Sequence, residues 1–271
     1  MHERIESHEM AKTVLVCFVL FVAFVAFGVQ GSAQVAPAGA KTGTIKGHVI
    51  LSGRPPANPV IRMGADPVCA ALARRTGSMP TQRLVETDGK GGLANVFVSL
   101  QGDFPSTPVS TEPVTINQRT CQYLPRVVGA RVGQTLKIVN QDTTLHNLHS
   151  LSTKNVFNAT QPQSGMVFTY TLKAAETMMR VKCDVHNWMF GYVGIVTHPY
   201  FAVSGADGTF TIANVPPGRY TIKSWHERFG EQTTTVTVTA GRETALGFTY
   251  DSTAKPKSTA RLLDLNVPAT E

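Results

Sequence analysis

The sequence predicts an all-β protein, and three observations predict it. From residue 42 onward, alternating apolar and polar residues recur in short runs, the two-residue period of strands with one buried face. Gly, Pro, Asn and Asp interrupt these runs at intervals that suit a sandwich rather than alternating strands and helices. Helix signals are confined to a short stretch at Asp66-Pro67, with Asp as cap and Pro at the first helical position.

Taken in order, Thr44–Leu51 alternates and is broken by Pro55-Pro56. The short helix is expected to run to Arg75 and stop at Gly77. Strand-like runs follow at Leu93–Leu100, Gln134–Asn140, Val167–Leu172, Met178–Lys182 and Tyr192–Thr197. A second unit begins near His198-Pro199. It contains Tyr200–Val203, the turn Ala206-Asp207-Gly208, Phe210–Ile212, the turn Val215–Gly218, Tyr220–Trp225 and alternating valines and threonines over Thr233–Thr239. Residues 251–271 lack periodicity and read as a loose tail.

The N-terminus reads as a targeting segment. Arg4 and Lys12 precede an apolar run of 16 residues, Val14–Val29, and Gly31-Ser32-Ala33 offers small residues for cleavage. The run is shorter than the ~20 residues that cross a bilayer as a straight helix. The assignment is therefore residues 1–33 as signal peptide and 34–41 as linker, with an uncleaved anchor as the alternative and the sole membrane contact. The mature chain is expected outside the cytoplasm, in the periplasm or cell envelope or beyond. Its 25 basic and 18 acidic residues give +7, scattered rather than clustered with aromatics, which argues against a nucleic-acid partner.

Cys17 lies in the targeting segment, leaving Cys69, Cys121 and Cys183. Three is odd, so one thiol stays free if two pair. Disulfides persist in exported proteins, and Cys69–Cys121 is the expected pair. Closing a loop of that length contributes about 4 kcal/mol through the entropy of the unfolded chain.

The leftover thiol opens the most informative segment. Cys183-Asp184-Val185-His186-Asn187-Trp188-Met189 places a thiolate, an imidazole and a thioether between two strands, where one loop turns all three toward one point. A His₂Cys set with a long axial Met is the ligand chemistry of a blue-copper centre. The missing histidine comes from Asn140–His149, which contains His146 and His149. In a strand these two point to opposite faces, so one is a ligand and the other a bystander. Met is a poor zinc ligand. His48, His198 and His226 are too scattered for a second copper site.

C-x-x-H-x-x-M with an upstream H-N-x-H resembles the cupredoxins, with the loop spacing of the amicyanins. The resemblance implies His146, Cys183, His186 and Met189 as ligands of a single copper. It also implies that Asn147 ties the two ligand strands together. Amicyanins carry prolines in the loop, whereas Val185 and Asn187 here keep N–H groups, an added donor for the thiolate. The pattern G-x-F-x-I-x-x-V-P-P-G-x-Y, ending at Tyr220, resembles the carboxypeptidase regulatory-like, transthyretin-type sandwich. Residues 42–250 together resemble bacterial exported proteins of the cupredoxin-domain and methylamine-utilisation kind.

The implied fold is a cupredoxin-like Greek-key sandwich over 42–197, elaborated around 55–90, followed by a small carboxypeptidase regulatory-like sandwich over 198–250. The implied function is one-electron transfer to or from a redox partner protein, without catalysis. Copper delivery without a redox circuit, and an envelope structural protein with a vestigial site, are the alternatives. Of Trp188, Phe190 and Tyr192, two are expected in the core and one in an apolar collar around an exposed edge of His186. Trp225-His226-Glu227 reads as a strand end, with Trp225 in the core and His226 at the rim.

Overall fold

A computed structural model of the chain describes residues 41–254 other than 65, 76 and 78. The expected signal peptide, nearly all of the linker and most of the tail lie outside the described residues. Among the described residues, β1 (Gly43–Ser52), α1 (Pro67–Arg75) and β2 (Phe97–Gln101) come first. Then come β3 (Val114–Arg119), β4 (Gln122–Leu124), β5 (Val127–Arg131), β6 (Thr135–Asn140), β7 (His146–Ser150), β8 (Asn158–Gln161), β9 (Val167–Thr171), β10 (Glu176–Lys182) and β11 (Phe190–Val196). The last are β12 (Phe201–Val203), β13 (Thr209–Val215), β14 (Gly218–His226), β15 (Gly230–Val238) and β16 (Glu243–Asp251). The expected all-β class is the one observed, and α1 has the expected limits. Asp66 caps it, its Oδ1 accepting the N–H groups of Val68 and Cys69 at 2.8 and 2.9 Å.

The strands form two sandwiches. In one, the sheets β5-β11-β10-β7-β8 and β4-β3-β6-β9 enclose Ile116, Leu136, Ile138, Leu148, Leu172, Val181 and Val193. In the other, β13-β1-β16 faces β12-β2-β14-β15 around Ile45, Val49, Leu100, Ile222, Val236 and Phe248. The sequence predicts β1 and β2 within the first sandwich. The structure pairs β1 in parallel with β16, from Thr44↔Glu243 to Ser52↔Asp251, and β2 with β12 and β14. The second sandwich is therefore larger than 198–250 and draws on both ends of the described chain. The first is inserted between β2 and β12. Alternation reveals that a strand has one buried face, but not which core that face joins.

The 55–90 elaboration divides between the two cores. Ile61, Met63, Cys69 and Ala73 enter the first, whereas Val85 enters the second. Strands β3 and β8 carried little apolar signal because Gln118 and Gln161 are buried within them. Gln118 Nε2 donates to Gln161 Oε1 at 2.7 Å, so a polar pair sits where alternation calls for apolar residues.

The sandwiches meet where Phe97, Phe201 and Trp225 pack against Val127 and Tyr192. Gly129 and Gly194 lie opposite each other on β5 and β11. A Cβ on Gly194 would come 2.7 Å from the Phe97 ring, and one on Gly129 would come 2.5 Å from Phe201. Beside them Tyr192 packs on Trp225 with ring centres 4.9 Å apart. Arg126 pairs with buried Glu227, donating from Nη2 to Oε2 at 2.9 Å. Trp225 is thus at the junction, and His226 is in the core rather than at the rim, only 1 % exposed. The rings of Phe229 and Tyr250 pack on it, 4.8 and 6.1 Å from its centre, which its position at a strand end does not reveal.

Gly194→Ala forces the Phe97 ring aside and is expected to cost about 1–3 kcal/mol in equilibrium unfolding. An unchanged midpoint would show that the junction is loosely packed.

Burial holds the pKa of His226 down to about 3, from an ordinary 6.5, with the Arg126 charge adding to the effect. Burial likewise brings His198 down to about 4. Between the folded and unfolded values the unfolded chain binds more protons, so stability falls as pH drops from 6.5 toward 3. Glu227, raised by burial, acts in the opposite sense. The contribution of His226 is isolated by comparing the wild type with His226→Phe. The variant is expected to lose less melting temperature between pH 7 and 4.5, His226 accounting for up to about 1.4 kcal/mol per pH unit. Equal acid slopes would show that His226 is not the titrating group.

Candidate metal centre

The site is built at one end of the first sandwich, where β7 begins and β10 gives way to β11. The turn before β7 is pinned by Asn140. Its Nδ2 donates to the carbonyls of Thr144 and Gln161 at 2.9 Å, and its Oδ1 accepts from the Asp142 N–H. That turn aims His146 inward, fully buried at the first position of β7. The loop from Cys183 to Met189 is closed by its own backbone. Cys183 N–H donates to Met189 O at 3.0 Å, and Met189 N–H to His186 O at 2.9 Å.

His146, Cys183 and His186 come together. Their ligand atoms lie within 4.8 Å of one another, all buried. The two Nδ1 atoms are 3.1 Å apart, and the Cys183 sulfur is 3.8 Å from His186 Nδ1. Met189 is buried in the same core. His149 is not part of the cluster: it faces outward and meets Asp184 at 3.0 Å. Asn147 does join the two elements. Its N–H donates to the Cys183 sulfur at 3.3 Å and its Oδ1 accepts from Asp184 N–H at 3.2 Å. The second N–H on the sulfur is that of His186, at 3.4 Å, rather than that of Val185 or Asn187 as the missing prolines suggested.

Two carboxylates fix the histidine tautomers. His146 Nε2 is 2.9 Å from Asp142 Oδ2, and His186 Nε2 is 2.9 Å from Asp66 Oδ2. An ionised carboxylate only accepts, so each Nε2 carries the hydrogen and each neutral ring turns its Nδ1 lone pair inward. Two ring nitrogens and a sulfur therefore converge. Bond lengths of about 2.0–2.3 Å from nitrogen and sulfur to a metal match this spacing.

The electrostatics agree. Burial resists ionisation of Cys183, but hydrogen bonds from both histidines and from the N–H groups of Asn147 and His186 outweigh it and bring the thiol down to about 6. Burial disfavours charge on the two imidazoles. Bonds to the carboxylates and to Cys183 nevertheless raise both above the ordinary histidine value. The pocket stabilises positive charge at its centre.

The 55–90 elaboration covers this centre. His186, expected to show an exposed edge, is only 2 % exposed. Asp66 and the Cys69–Cys121 disulfide, which the structure contains as expected, lie against it. Cys69 Sγ is 3.7 Å from His186 Nε2. Trp188 packs at a tilt against the same ring with centres 5.0 Å apart, donates from Nε1 to Cys121 O at 3.0 Å, and accepts from Gln82 through its own carbonyl. Phe190 is buried between the Arg126 and Arg180 guanidinium groups, 4.1 and 4.4 Å from its centre. Asp66 and Asp142 are the site residues that sequence reasoning missed. Asp66 was visible only as a helix cap. Asp142, four residues before His146, gave no separate signal.

Residues 195–251 match the family model of the carboxypeptidase regulatory-like domain. That stretch runs from the end of β11 through β16 and lies mostly in the second sandwich. Comparison with curated proteins found no match. Among solved structures, a purple cupredoxin from Nitrosopumilus maritimus is 22% identical, over 30% of this chain and 97% of its own, with a TM-score of 0.27. A reduced amicyanin variant is 17% identical, over 36% and 97%, with a TM-score of 0.28. A copper-containing nitrite reductase from Thermus scotoductus SA-01 is 18% identical at a TM-score of 0.28. The match covers 35% of this chain and 24% of the reductase. These likenesses are weak, and the chemistry of the centre is read from its own donors.

His146→Ala removes one of the three converging donors and is expected to abolish metal binding at this centre. His149→Ala removes an outward-facing ring and is expected to leave the metal's visible spectrum in place. Equal metal loss in both variants would show that β7 does not keep its strand register.

Proposed function

We propose that this is an exported protein in which His146, Cys183, His186 and Met189 would hold one copper ion, and that it passes single electrons to and from a partner protein. The convergence of two imidazole nitrogens and a low-pKa cysteine, buried together, carries this reading. The donor set fits copper. Thiolate and thioether suit Cu(I), imidazole suits both oxidation states, and this combination is that of a one-electron centre.

The chain's own groups have defined tasks. Asp142 and Asp66 keep the Nε2 hydrogens in place, and the N–H groups of Asn147 and His186 stabilise negative charge on the Cys183 sulfur. The covering segment excludes water, and a dry, prearranged pocket keeps the ligands from moving much when charge changes. With the His186 edge buried, Val185 is the apolar residue of the loop that faces solvent, 54 % exposed, and it offers a contact for a redox partner. Burial of the centre beneath a disulfide-held segment disfavours a delivery role, which requires easy release. The disulfide also supports an oxidising compartment.

The Cu(II)-loaded protein is expected to show an intense visible thiolate-to-copper band that Cys183→Ser eliminates. A colourless Cu(II) complex in the wild type would refute the assignment.

A further inference from the structure

Asp66 and Asp142 occupy matching positions. Each accepts a ring N–H from one histidine of the centre, and each also accepts the backbone N–H of one half of the disulfide. Asp66 Oδ2 takes His186 Nε2–H and the Thr144 hydroxyl, both at 2.9 Å, while Oδ1 takes the N–H groups of Val68 and Cys69. Asp142 Oδ2 takes His146 Nε2–H at 2.9 Å and Cys121 N–H at 2.8 Å, while Oδ1 takes Thr120 N–H at 2.8 Å. Cys69 and Cys121 are bonded to each other. The result is a closed ring: His186, Asp66, Cys69, Cys121, Asp142, His146, and back across the facing Nδ1 atoms.

Backbone conformation reinforces it. Thr120 and Cys121 both have positive φ, 52° and 53°, in the two-residue turn between β3 and β4. Non-glycine residues adopt that region at a cost, the more so for a β-branched one. The two N–H groups this conformation aligns both end on Asp142. The strained turn thus serves to present donors to the carboxylate. On the other side, the cap of α1 performs the same task for Asp66.

We propose that Asp66 and Asp142 are positioning residues of the copper centre, and that the Cys69–Cys121 disulfide is the clasp that sets both carboxylates against the two ligand rings. The inference rests on the copper reading above. A carboxylate bonded to the far nitrogen of a ligand imidazole fixes the ring and makes it more basic, and losing such a partner typically lowers metal affinity by 10–100-fold. Negative charge beside the ligands also favours the more highly charged Cu(II), so removing it raises the reduction potential. The disulfide sets the reach of Asp66. This residue lies on a segment far in sequence from every ligand, held to the sandwich by that covalent link and by side chains such as Ile61 and Met63.

The test uses full-length protein loaded with copper. Asp66→Asn and Asp142→Asn keep the side-chain shape and an oxygen acceptor while removing the charge. Each is expected to keep the visible thiolate band, to lose about 10–100-fold in Cu(II) affinity by chelator competition, and to shift to a higher potential in voltammetry. Glu243→Gln, a remote surface carboxylate, is expected to change neither. Cys69→Ser/Cys121→Ser is expected to combine both Asn effects while keeping the band. If that variant does not fold, the same measurement is made on folded wild type whose bridge has been opened by a phosphine. In that reaction water supplies the oxygen, the phosphine becomes its oxide, and two thiols form. Affinity and potential equal to wild type in both Asn variants would overturn the positioning role, even if their melting temperatures fell. Wild-type values after opening the bridge would overturn the clasp. Absence of the band in the wild type would instead sink the copper reading itself.

Discussion

Two imidazole nitrogens and one sulfur face one another inside an apolar core, and the rest of the first sandwich serves to keep them there. Polar atoms in such a place are costly unless they are partnered. The fold meets this demand from outside the triangle. Carboxylates hold the far side of each ring, and backbone N–H groups hold the sulfur. The cluster is thereby held in one arrangement, and under the copper reading proposed above, binding would require little rearrangement of these side chains.

The cover follows from the same demand. Asp66 belongs to neither β7 nor the ligand loop, so the chain brings it across on α1 and fastens it with a disulfide. This gives the 55–90 elaboration a purpose. It completes the surroundings of His186 and shuts out water, with Trp188 and Gln82 sealing the edge. The centre consequently communicates with solvent through the exposed side of its own loop at Val185 rather than through an imidazole.

The second sandwich is not a free appendage. Its strands begin before the first sandwich and resume after it, so the first sandwich is held at both ends. Phe190, the residue after Met189, lies between Arg126 and Arg180, and Arg126 is in turn paired with Glu227 of the second sandwich. The ligand loop thus ends on a residue whose packing depends on the neighbouring unit. The glycine pair on β5 and β11 allows the two bodies to approach that closely.

The sequence by itself determined the all-β class, the capped helix α1, the Cys69–Cys121 pairing and the ligand loop of Cys183, His186 and Met189, while the choice of His146 over His149 came from the family resemblance. Apart from that choice, each of these depends on local information: period-two alternation, turn residues, an odd cysteine count and ligand types at short spacing. Only the tertiary structure decided which core receives β1 and β2, because alternation records a buried face but not its partner. It alone brought Asp66 and Asp142 to the two rings. A carboxylate that caps a helix or grips a turn looks the same in sequence whether or not an imidazole from a distant strand donates its hydrogen to the remaining oxygen.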